Sequence, residues 1–308
     1  MRYIKNTTDF CIPEDTVVSL GKFDGIHKGH GRLLEYLNSK RKEGLKTVIF
    51  TFDIPPGWRV KSPQEGKLLT TNEEKRQLFE QYGIDCLIEC PFTAEIMQME
   101  PEAFVRQIVG SLHIKSLVVG TDFRFGYNRR GDYHLLEKLS GQLGYELKVV
   151  DKLKENGRDI SSTFIREEIL AGRLENANRL LGYHYFVQGT VVHGNEIGGA
   201  KLGIPTANLI LPQEKLLPPF GVYLTKTCVY GETNAIYSGI SNVGCKPTIE
   251  GDNPVGVETH LIGFREQIYG KPIKVEFLEK VRDEMKFGSL EELKRQMKKD
   301  IAYASFKI

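Results

Sequence analysis

The sequence predicts an α/β domain built on a parallel sheet, followed by an antiparallel β-barrel that ends in a helix. Three observations support this fold class. The first half alternates short apolar strands with amphipathic helical segments, which is typical of a parallel sheet covered on both faces. From Tyr185 onward, short alternating segments are separated by Gly, Pro and Asn, as in an antiparallel barrel. The last segment carries apolar residues at helical spacing.

Apolar, β-branched runs and helical periodicity define the elements of the first half. We predict strands at residues 16–20, 47–52, 86–89, 116–119 and 146–150. We predict helices at residues 29–43, 72–82, 101–111 and 133–143, and one at 162–171 that continues to about residue 181. Ligands of parallel sheets bind beyond the carboxyl ends of the strands, where residues 21–30 and 120–132 fall.

The second half is predicted to form the barrel and the helix that covers it. Its strands are expected at residues 185–193, 223–230, 234–240, 257–264 and 273–281. An apolar stripe predicts the terminal helix, and it consists of Leu290, Leu293, Met297 and Ile301. Because the pattern changes near Tyr183 and His184, we expect two domains, residues 1–183 and 184–308.

Composition excludes several classes of function. The 308 residues carry a net charge of +2 with acidic and basic residues interspersed, so no overall field favours nucleic acid or an anionic membrane. The five cysteines are scattered without metal-ligand spacing, which indicates reduced structural thiols. No apolar run has the length of a signal peptide or a membrane span. We therefore expect a soluble cytoplasmic protein without an obligate protein partner.

The most informative motif is the run Gly21-Lys22-Phe23-Asp24-Gly25-Ile26-His27-Lys28-Gly29-His30. It follows an apolar strand and opens an amphipathic helix, so its glycines and two histidines are placed at a helix N-terminus. Backbone N–H groups there bind anions, and imidazoles can stabilise charge on a phosphoryl group. The motif therefore predicts a phosphate site, with a glycine turn and two surface histidines as the alternative.

Two further motifs suit a nucleotide. Ser161-Ser162-Thr163-Phe164-Ile165-Arg166 places hydroxyls at a helix N-terminus with an arginine one turn later, which fits either a helix cap or a polyphosphate site. Val119-Gly120-Thr121-Asp122-Phe123-Arg124-Phe125-Gly126 ends a predicted strand, so Asp122 and Arg124 are candidate ligand contacts.

In this order and spacing, the three motifs resemble the adenylyltransferase module of bacterial bifunctional riboflavin kinase/FAD synthetases. The second half resembles the riboflavin kinase module of the same family. The matching runs are Gly203-Ile204-Pro205-Thr206-Ala207-Asn208, Gly221-Val222-Tyr223, Ser241-Asn242-Val243-Gly244, Pro247-Thr248, Val257-Glu258-Thr259-His260 and Arg282-Asp283-Glu284. The resemblance implies a Rossmann-like nucleotidyltransferase domain and a six-stranded kinase barrel. It also implies phosphorylation of riboflavin to FMN by ATP, followed by adenylylation of FMN to FAD with release of pyrophosphate.

The resemblance also implies the site residues. In the first module, His27 and His30 are the expected catalytic residues. The expected ATP-binding residues there are Gly21, Phe23, Asp24, Gly25, Gly29, Asp122, Ser162, Thr163 and Arg166. In the kinase module, Glu258 is the expected general base, and Thr206 and Asn208 are the expected ligands of Mg²⁺ with ATP. The other expected ATP or flavin contacts are Gly194, Gly199, Lys201, Gly203, Pro205, Tyr223 and Arg282.

Three positions depart from the family pattern. Residues 53–58 read Asp-Ile-Pro-Pro-Gly-Trp where many members carry Pro-His-Pro. Ala200 replaces an arginine before the Leu-Gly pair, and Gly263 replaces an aspartate. Two alternative functions therefore remain open: a flavin-binding regulator without turnover, and a nucleotidyltransferase for a sugar phosphate or nicotinamide mononucleotide.

Overall fold

The computed structural model describes residues 1–53, 67–193, 203–231, 234–245 and 255–307. The chain divides into two compact units, Met1–Ser162 and Thr163–Ile308. Within the described part of the chain, no helix has the length and apolar character needed to cross a membrane.

The first unit is built on a parallel sheet, as predicted, and the sheet has six strands rather than the five expected. Its strands are β1 Arg2–Lys5, β2 Thr16–Leu20, β3 Lys46–Phe52, β4 Cys86–Cys90, β5 Ile114–Gly120 and β6 Glu146–Val150. They lie in the order β1-β4-β3-β2-β5-β6. The chain turns to opposite sides of β2 to form β3 and β5, so the crevice between the ends of β2 and β5 is the position where such sheets bind ligands.

Helices cover this sheet, and three of those in the described part of the first unit begin at a side-chain cap. They are α1 Lys28–Arg41, α2 Asn72–Gln81, α3 Ala94–Gln98, α4 Pro101–Leu112 and α5 Tyr133–Leu143. Thr71 and Glu74 form a capping box at the start of α2, and the Asp132 side chain accepts from the Leu135 N–H at α5. The small hairpin β7 Lys154–Glu155 and β8 Arg158–Asp159 precedes α6 Ser162–Leu170. The central strands are buried, with apolar side chains such as Val18 and Phe50 on one face and Val17 and Ile49 on the other.

The second unit is a closed six-stranded barrel, which confirms the predicted fold class. Its strands are β9 Phe186–Val192, β10 Ala207–Ile210, β11 Gly221–Val229, β12 Ala235–Cys245, β13 Val255–Leu261 and β14 Pro272–Arg282. They close in the order β10-β13-β12-β11-β14-β9 with antiparallel pairing throughout. The terminal helix is α8 Leu290–Lys307.

One helical prediction needs correction. The single helix expected from residue 162 to about 181 is two helices, α6 and α7 Leu174–Leu181. Gly172 has a φ of +73° and ends α6, because this left-handed conformation cannot continue a right-handed helix. The α7 helix then packs on the barrel. The side-chain amide of Asn178 donates to the Phe277 carbonyl at 2.9 Å, and its oxygen accepts from the Tyr185 N–H at 2.7 Å.

Candidate active sites

The histidine loop, residues 21–27, joins β2 to α1 in a constrained conformation. Phe23, Gly25 and Ile26 have φ values of +50°, +85° and +33°. Two of these residues are not glycine, so the loop is strained and the surrounding structure must hold it. His27 is the N-cap of α1, and no side chain caps the helix there. The first N–H groups of α1 therefore remain available to an anion.

His27 and His30 lie together at this helix N-terminus. Their rings stack with centroids 3.8 Å apart and planes inclined by 20°, and His30 also contacts the Phe23 ring at 5.1 Å. Burial lowers the pKa of His27 to about 4 and the pKa of His30 well below its usual 6.5. Both imidazoles are thus neutral at pH 7. The Nδ1 atom of each is buried without a hydrogen-bond partner, as expected for atoms that meet a polar ligand.

Two predicted glycines of the motif lie in close contact with its aromatic and imidazole rings. A Cβ at Gly29 would lie 3.0 Å from Cε1 and Nδ1 of His27, and a Cβ at Gly21 would lie 3.0 Å from the Phe23 ring. Both distances are shorter than ordinary van der Waals contact. Gly29 therefore allows the His27 ring to lie against the first turn of α1.

Asp24 supports the histidine loop from inside the protein. Its carboxylate is buried, and Oδ1 accepts from the Thr70 N–H at 3.1 Å. The Gly25 N–H in turn donates to the Thr70 hydroxyl at 3.0 Å. At the start of α6, the Ser162 hydroxyl donates to the Asp24 carbonyl at 2.8 Å. Asp24 and Ser162 thus fix the backbone of the loop in this structure.

Asp122 follows β5, the strand next to β2. Its carboxylate is exposed and pairs with the Lys152 ammonium at 3.2 Å, and its negative charge partly opposes the lowering of the His27 pKa by burial. Asp122 and the histidines therefore lie at the same crevice, as their positions after adjacent strands predict. Arg124 is exposed and donates to the Phe123 carbonyl at 2.9 Å.

Thr163 and Arg166 lie on α6, in the second compact unit. Thr163 is exposed and Arg166 is partly exposed. Their expected contacts with ATP stay predictions.

The described kinase residues Thr206, Asn208 and Glu258 lie close together, on or next to the paired strands β10 and β13. Thr206 precedes β10, and its hydroxyl donates a short hydrogen bond to Oε1 of Glu258 on β13. Asn208 on β10 lies directly opposite Glu258 in the strand register. The group offers a hydroxyl, an amide carbonyl and a carboxylate, which are the hard oxygen donors that Mg²⁺ takes. The chemistry of this donor set fits a magnesium ion held with ATP.

The structure adds Asn242 to this group. It lies on β12 opposite Glu258, so the glutamate is flanked by Asn208 on one side and Asn242 on the other. A Cβ at Gly244 would lie 3.2 Å from the Asn242 amide nitrogen and would overlap the Glu284 carboxylate. The sequence motif contains Asn242, but only the strand register shows that it is next to Glu258.

Two predicted kinase contacts have other roles in the structure. Tyr223 is fully buried in the barrel, where its ring packs edge-on against Phe277 and its hydroxyl donates to the Pro219 carbonyl. The Arg282 guanidinium pairs with the buried Asp300 carboxylate of α8, at 2.8 Å from Nη2. In this structure Tyr223 therefore belongs to the barrel core and Arg282 attaches α8, and their expected ligand contacts stay predictions.

Some of the remaining predicted kinase residues lie within the described part of the chain, and others lie outside it. Gly203 has a φ of +68°, and the Pro205 carbonyl lies 2.8 Å from Nδ1 of His260. Gly194, Gly199 and Lys201 lie outside the described residues, as do Ala200 and residues 54–58 of the departing segment. Among the described residues, no group of three or more His, Cys, Asp and Glu side chains is arranged to hold a metal.

Both halves of the chain match models of known protein families. The FAD synthetase family model matches residues 10–164, and the riboflavin kinase family model matches residues 181–307. The bifunctional riboflavin kinase/FMN adenylyltransferase of Listeria monocytogenes is 34% identical over 96% of this chain and 93% of its own length. The protein of the same name from Bacillus subtilis is 35% identical over 92% and 90%.

This chain belongs to the bifunctional riboflavin kinase/FMN adenylyltransferase family. A crystal structure described as a macrolide-efflux protein from Streptococcus pneumoniae also matches, with a TM-score of 0.86, 31% identity and 98% coverage of both chains. That likeness extends over both compact units. The family assignment confirms the resemblance read from the motifs. The histidine loop lies within the FAD synthetase match, and the Glu258 group lies within the riboflavin kinase match.

Proposed function

We propose that this chain makes FAD from riboflavin in two ATP-dependent steps, one in each half. The observation that supports the proposal is that each family model covers one group of polar side chains suited to phosphate chemistry. The first is the pair of neutral histidines at the open N-terminus of α1. The second is Glu258 with Thr206 and Asn208 on the barrel.

In the kinase step, Glu258 accepts the proton of the terminal ribityl hydroxyl as the hydroxyl oxygen attacks the γ-phosphorus of ATP, and ADP leaves with the bridging oxygen. The hydrogen bond from Thr206 fixes the orientation of the Glu258 carboxylate. Thr206 and Asn208 would hold Mg²⁺, which supplies charge neutralisation for the ATP phosphates. Asn242, opposite Glu258 in the register, is placed to orient the same region of the substrate.

In the adenylyl step, a phosphate oxygen of FMN attacks the α-phosphorus of ATP, and pyrophosphate leaves. His27 and His30 stabilise the negative charge on the phosphoryl oxygens as neutral hydrogen-bond donors, so no proton transfer from protein is needed. The N–H groups at the start of α1 contribute in the same way. The strained loop and Gly29 hold the imidazoles in position before the substrate arrives.

The test follows labelled phosphate through both products. Purified chain is incubated with riboflavin, Mg²⁺ and ATP labelled at the α or the γ position, and the flavins are separated. We expect γ-label in FMN and α-label only in FAD. When FMN is supplied instead of riboflavin, the γ-label should stay out of FAD. Flavin binding without either labelled product would instead support the regulator, and labelling of nicotinamide mononucleotide or a sugar phosphate would support another nucleotidyltransferase.

A further inference from the structure

Lys152 bridges two carboxylates that lie on separate segments of the first unit. It follows shortly after β6, and its side chain is 36% exposed. Its ammonium nitrogen lies 3.2 Å from Oδ2 of Asp122, which follows β5, and 3.4 Å from Oδ2 of Asp159 on β8. One cation thus joins the carboxyl ends of two neighbouring strands to the hairpin that precedes α6.

The Asp122 carboxylate is held at both of its oxygens. Oδ2 pairs with Lys152, and Oδ1 would lie 3.0 Å from a Cβ at Gly120, the last residue of β5. Because Gly120 has no side chain, the carboxylate packs against its backbone. The Thr121 N–H donates to the Val150 carbonyl at 3.1 Å and fixes this turn against the end of β6. Lys152 is therefore the side chain that sets the orientation of the Asp122 carboxylate.

The hairpin β7–β8 connects Asp159 with the histidine loop. The Ile160 N–H donates to the Leu153 carbonyl at 2.8 Å, which closes the hairpin. The Ile160 carbonyl lies 3.6 Å from the position of a Cβ at Gly29, in the first turn of α1. The Ser162 hydroxyl then donates to a backbone carbonyl of the histidine loop at 2.8 Å. Both carboxylates that pair with Lys152 thus belong to segments that border the crevice of the first unit.

The charge of Lys152 matters because the proposed substrates, ATP and FMN, are anions. Asp122 and Asp159 place two negative charges at this crevice, and Lys152 neutralises one of them. An exposed ion pair contributes little to folding stability. An uncompensated charge in a crevice, in contrast, acts on an anionic ligand within about 8 Å, the Debye length at physiological salt. Loss of the cation should therefore affect substrate binding more than folding.

We propose that Lys152 is a positioning residue for adenylyl transfer, which orients and neutralises Asp122 so that the crevice accepts the phosphates of ATP and FMN. This inference rests on the proposed function of the first unit. Asp122 is an expected ATP-binding residue, so its orientation and its charge both affect the nucleotide. Lys152 is not a catalytic residue, since it acts through the Asp122 carboxylate.

The experiment compares Lys152→Met and Lys152→Arg in the full chain, with Lys148→Met as the matched control. Lys148 is exposed on β6 and forms no salt bridge among the described residues, so its replacement removes the same charge outside the bridge. The kinetics of FAD formation from FMN and ATP are measured at about 0.05 M and about 0.5 M salt, where charges are weakly and strongly screened. Riboflavin kinase activity and urea unfolding of the same samples report whether the chain is intact.

We expect Lys152→Met to raise KM for ATP and for FMN roughly 3- to 10-fold at low salt, with kcat changed less than about twofold. At high salt the increase in KM should fall below about twofold, because the effect is electrostatic. Lys152→Arg keeps the positive charge and should keep both KM values, and Lys148→Met should keep them too. Kinase activity and the urea midpoint should stay unchanged in all three variants.

Asp122→Asn supplies a second test, because Lys152 is proposed to act through that carboxylate. In a chain that carries Asp122→Asn, adding Lys152→Met should change KM for ATP less than about twofold, since the two residues are coupled. An increase in KM as large as in the chain with Asp122 would show that Lys152 acts independently of this carboxylate, and it would overturn the inference.

Two further results would overturn it. One is an increase in KM below about threefold for both substrates in Lys152→Met at low salt, which is less than an uncompensated charge should cause. The other is an equal increase in Lys148→Met, which would assign the effect to the net charge of the chain rather than to the bridge. A chain that forms no FAD with Lys152 in place would instead contradict the proposed function, so the two failures are distinguishable.

Discussion

The backbone of Gly29 lies against the imidazole ring of His27. A Cβ at position 29 would be 3.0 Å from both Cε1 and Nδ1 of that ring, and its third neighbour would be the Ile160 carbonyl at 3.6 Å. The absence of a side chain at this first-turn position therefore sets the position of a proposed catalytic group. Gly31, two residues later on the same helix, has no atom within 4 Å of its Cβ position among the described residues.

Gly29→Ala should reduce FAD formation from FMN, because the new methyl group displaces the His27 ring. Helix propensity alone predicts the opposite for stability, since Ala is more favourable than Gly by up to about 1 kcal/mol within a helix. Gly31→Ala is the matched control and should raise stability without changing activity. Steady-state kinetics and urea unfolding of both variants check this. Equal activity of Gly29→Ala and Gly31→Ala would show that the His27 imidazole tolerates contact with a methyl group at position 29.

His27→Ala and His30→Ala should each make the chain accumulate FMN from riboflavin with little FAD. Loss of one preorganised donor to a phosphoryl transition state lowers the rate on the order of 100-fold. His134→Ala is the control, because His134 is exposed and its ring packs against the ring of Tyr133, away from the histidine motif in the sequence. The ratio of FAD to FMN over time is the measurement. A decrease below about threefold in both variants would favour the surface-histidine alternative, since a donor contributes far more.

The first unit should lose stability when the pH falls from 7 to 5. The folded pKa of His27 is about 4 and the unfolded value is 6.5, so between these values the unfolded chain binds more protons. Stability is therefore present above pH 6.5 and decreases as the pH falls towards 4. This amounts to about 2 kcal/mol for His27 between pH 7 and 5. Urea unfolding should show a smaller pH dependence in His27→Asn, and the same dependence as the unchanged chain in His134→Asn.

The sequence predicted the buried strands of the first unit because their apolar, β-branched runs differ from the flanking residues. Strands β2 and β6 lie at the predicted residues. Strands β3, β4 and β5 extend beyond the predicted ends by one or two residues at an end. The sequence pattern does not predict β1 or β10. Each has four residues, β1 is a half-exposed edge strand, and β10 was interpreted only as part of a kinase motif. Elements this short carry too little periodicity to be recognised.

The sequence predicts the two candidate sites to different extents. A contiguous motif such as residues 21–30 places its side chains together in any fold that gives it a strand, a turn and a helix. The Glu258 group depends on strand register, which the sequence does not encode in one segment. Tyr223 is an expected ligand contact from the resemblance alone, and the structure adds that its side chain is buried in the barrel. The pairing of Arg282 with Asp300 depends on a tertiary contact 18 residues away along the chain.

Glu258→Gln should abolish the phosphorylation of riboflavin and leave the conversion of supplied FMN to FAD near normal. The amide cannot accept the proton of the ribityl hydroxyl, and Glu258 belongs to the barrel rather than to the histidine loop. Glu276→Gln is the control, because this strand glutamate forms a peripheral ion pair with Lys274 at 2.6 Å. Formation of FMN by Glu258→Gln at a rate close to that of the unchanged chain would rule out the general-base role.

The kinase half should fold and phosphorylate riboflavin without the first unit, and its stability should depend on where the fragment begins. A fragment of residues 184–308 keeps the six barrel strands and α8, which is enough for a domain with its own core. It lacks α7, whose Asn178 side chain bonds the Phe277 carbonyl and the Tyr185 N–H. Fragment 163–308 keeps these bonds and coincides with the second compact unit.

We therefore expect both fragments to make FMN and the longer one to melt at the higher temperature. A buried hydrogen bond contributes about 1 kcal/mol, so Asn178→Ala in fragment 163–308 should remove part of the difference. Thermal melts followed by circular dichroism, with FMN formation from riboflavin, ATP and Mg²⁺, measure both effects. Folded fragments that form no FMN would show that Thr206, Asn208 and Glu258 are not a self-sufficient centre and that the kinase requires residues of the first unit.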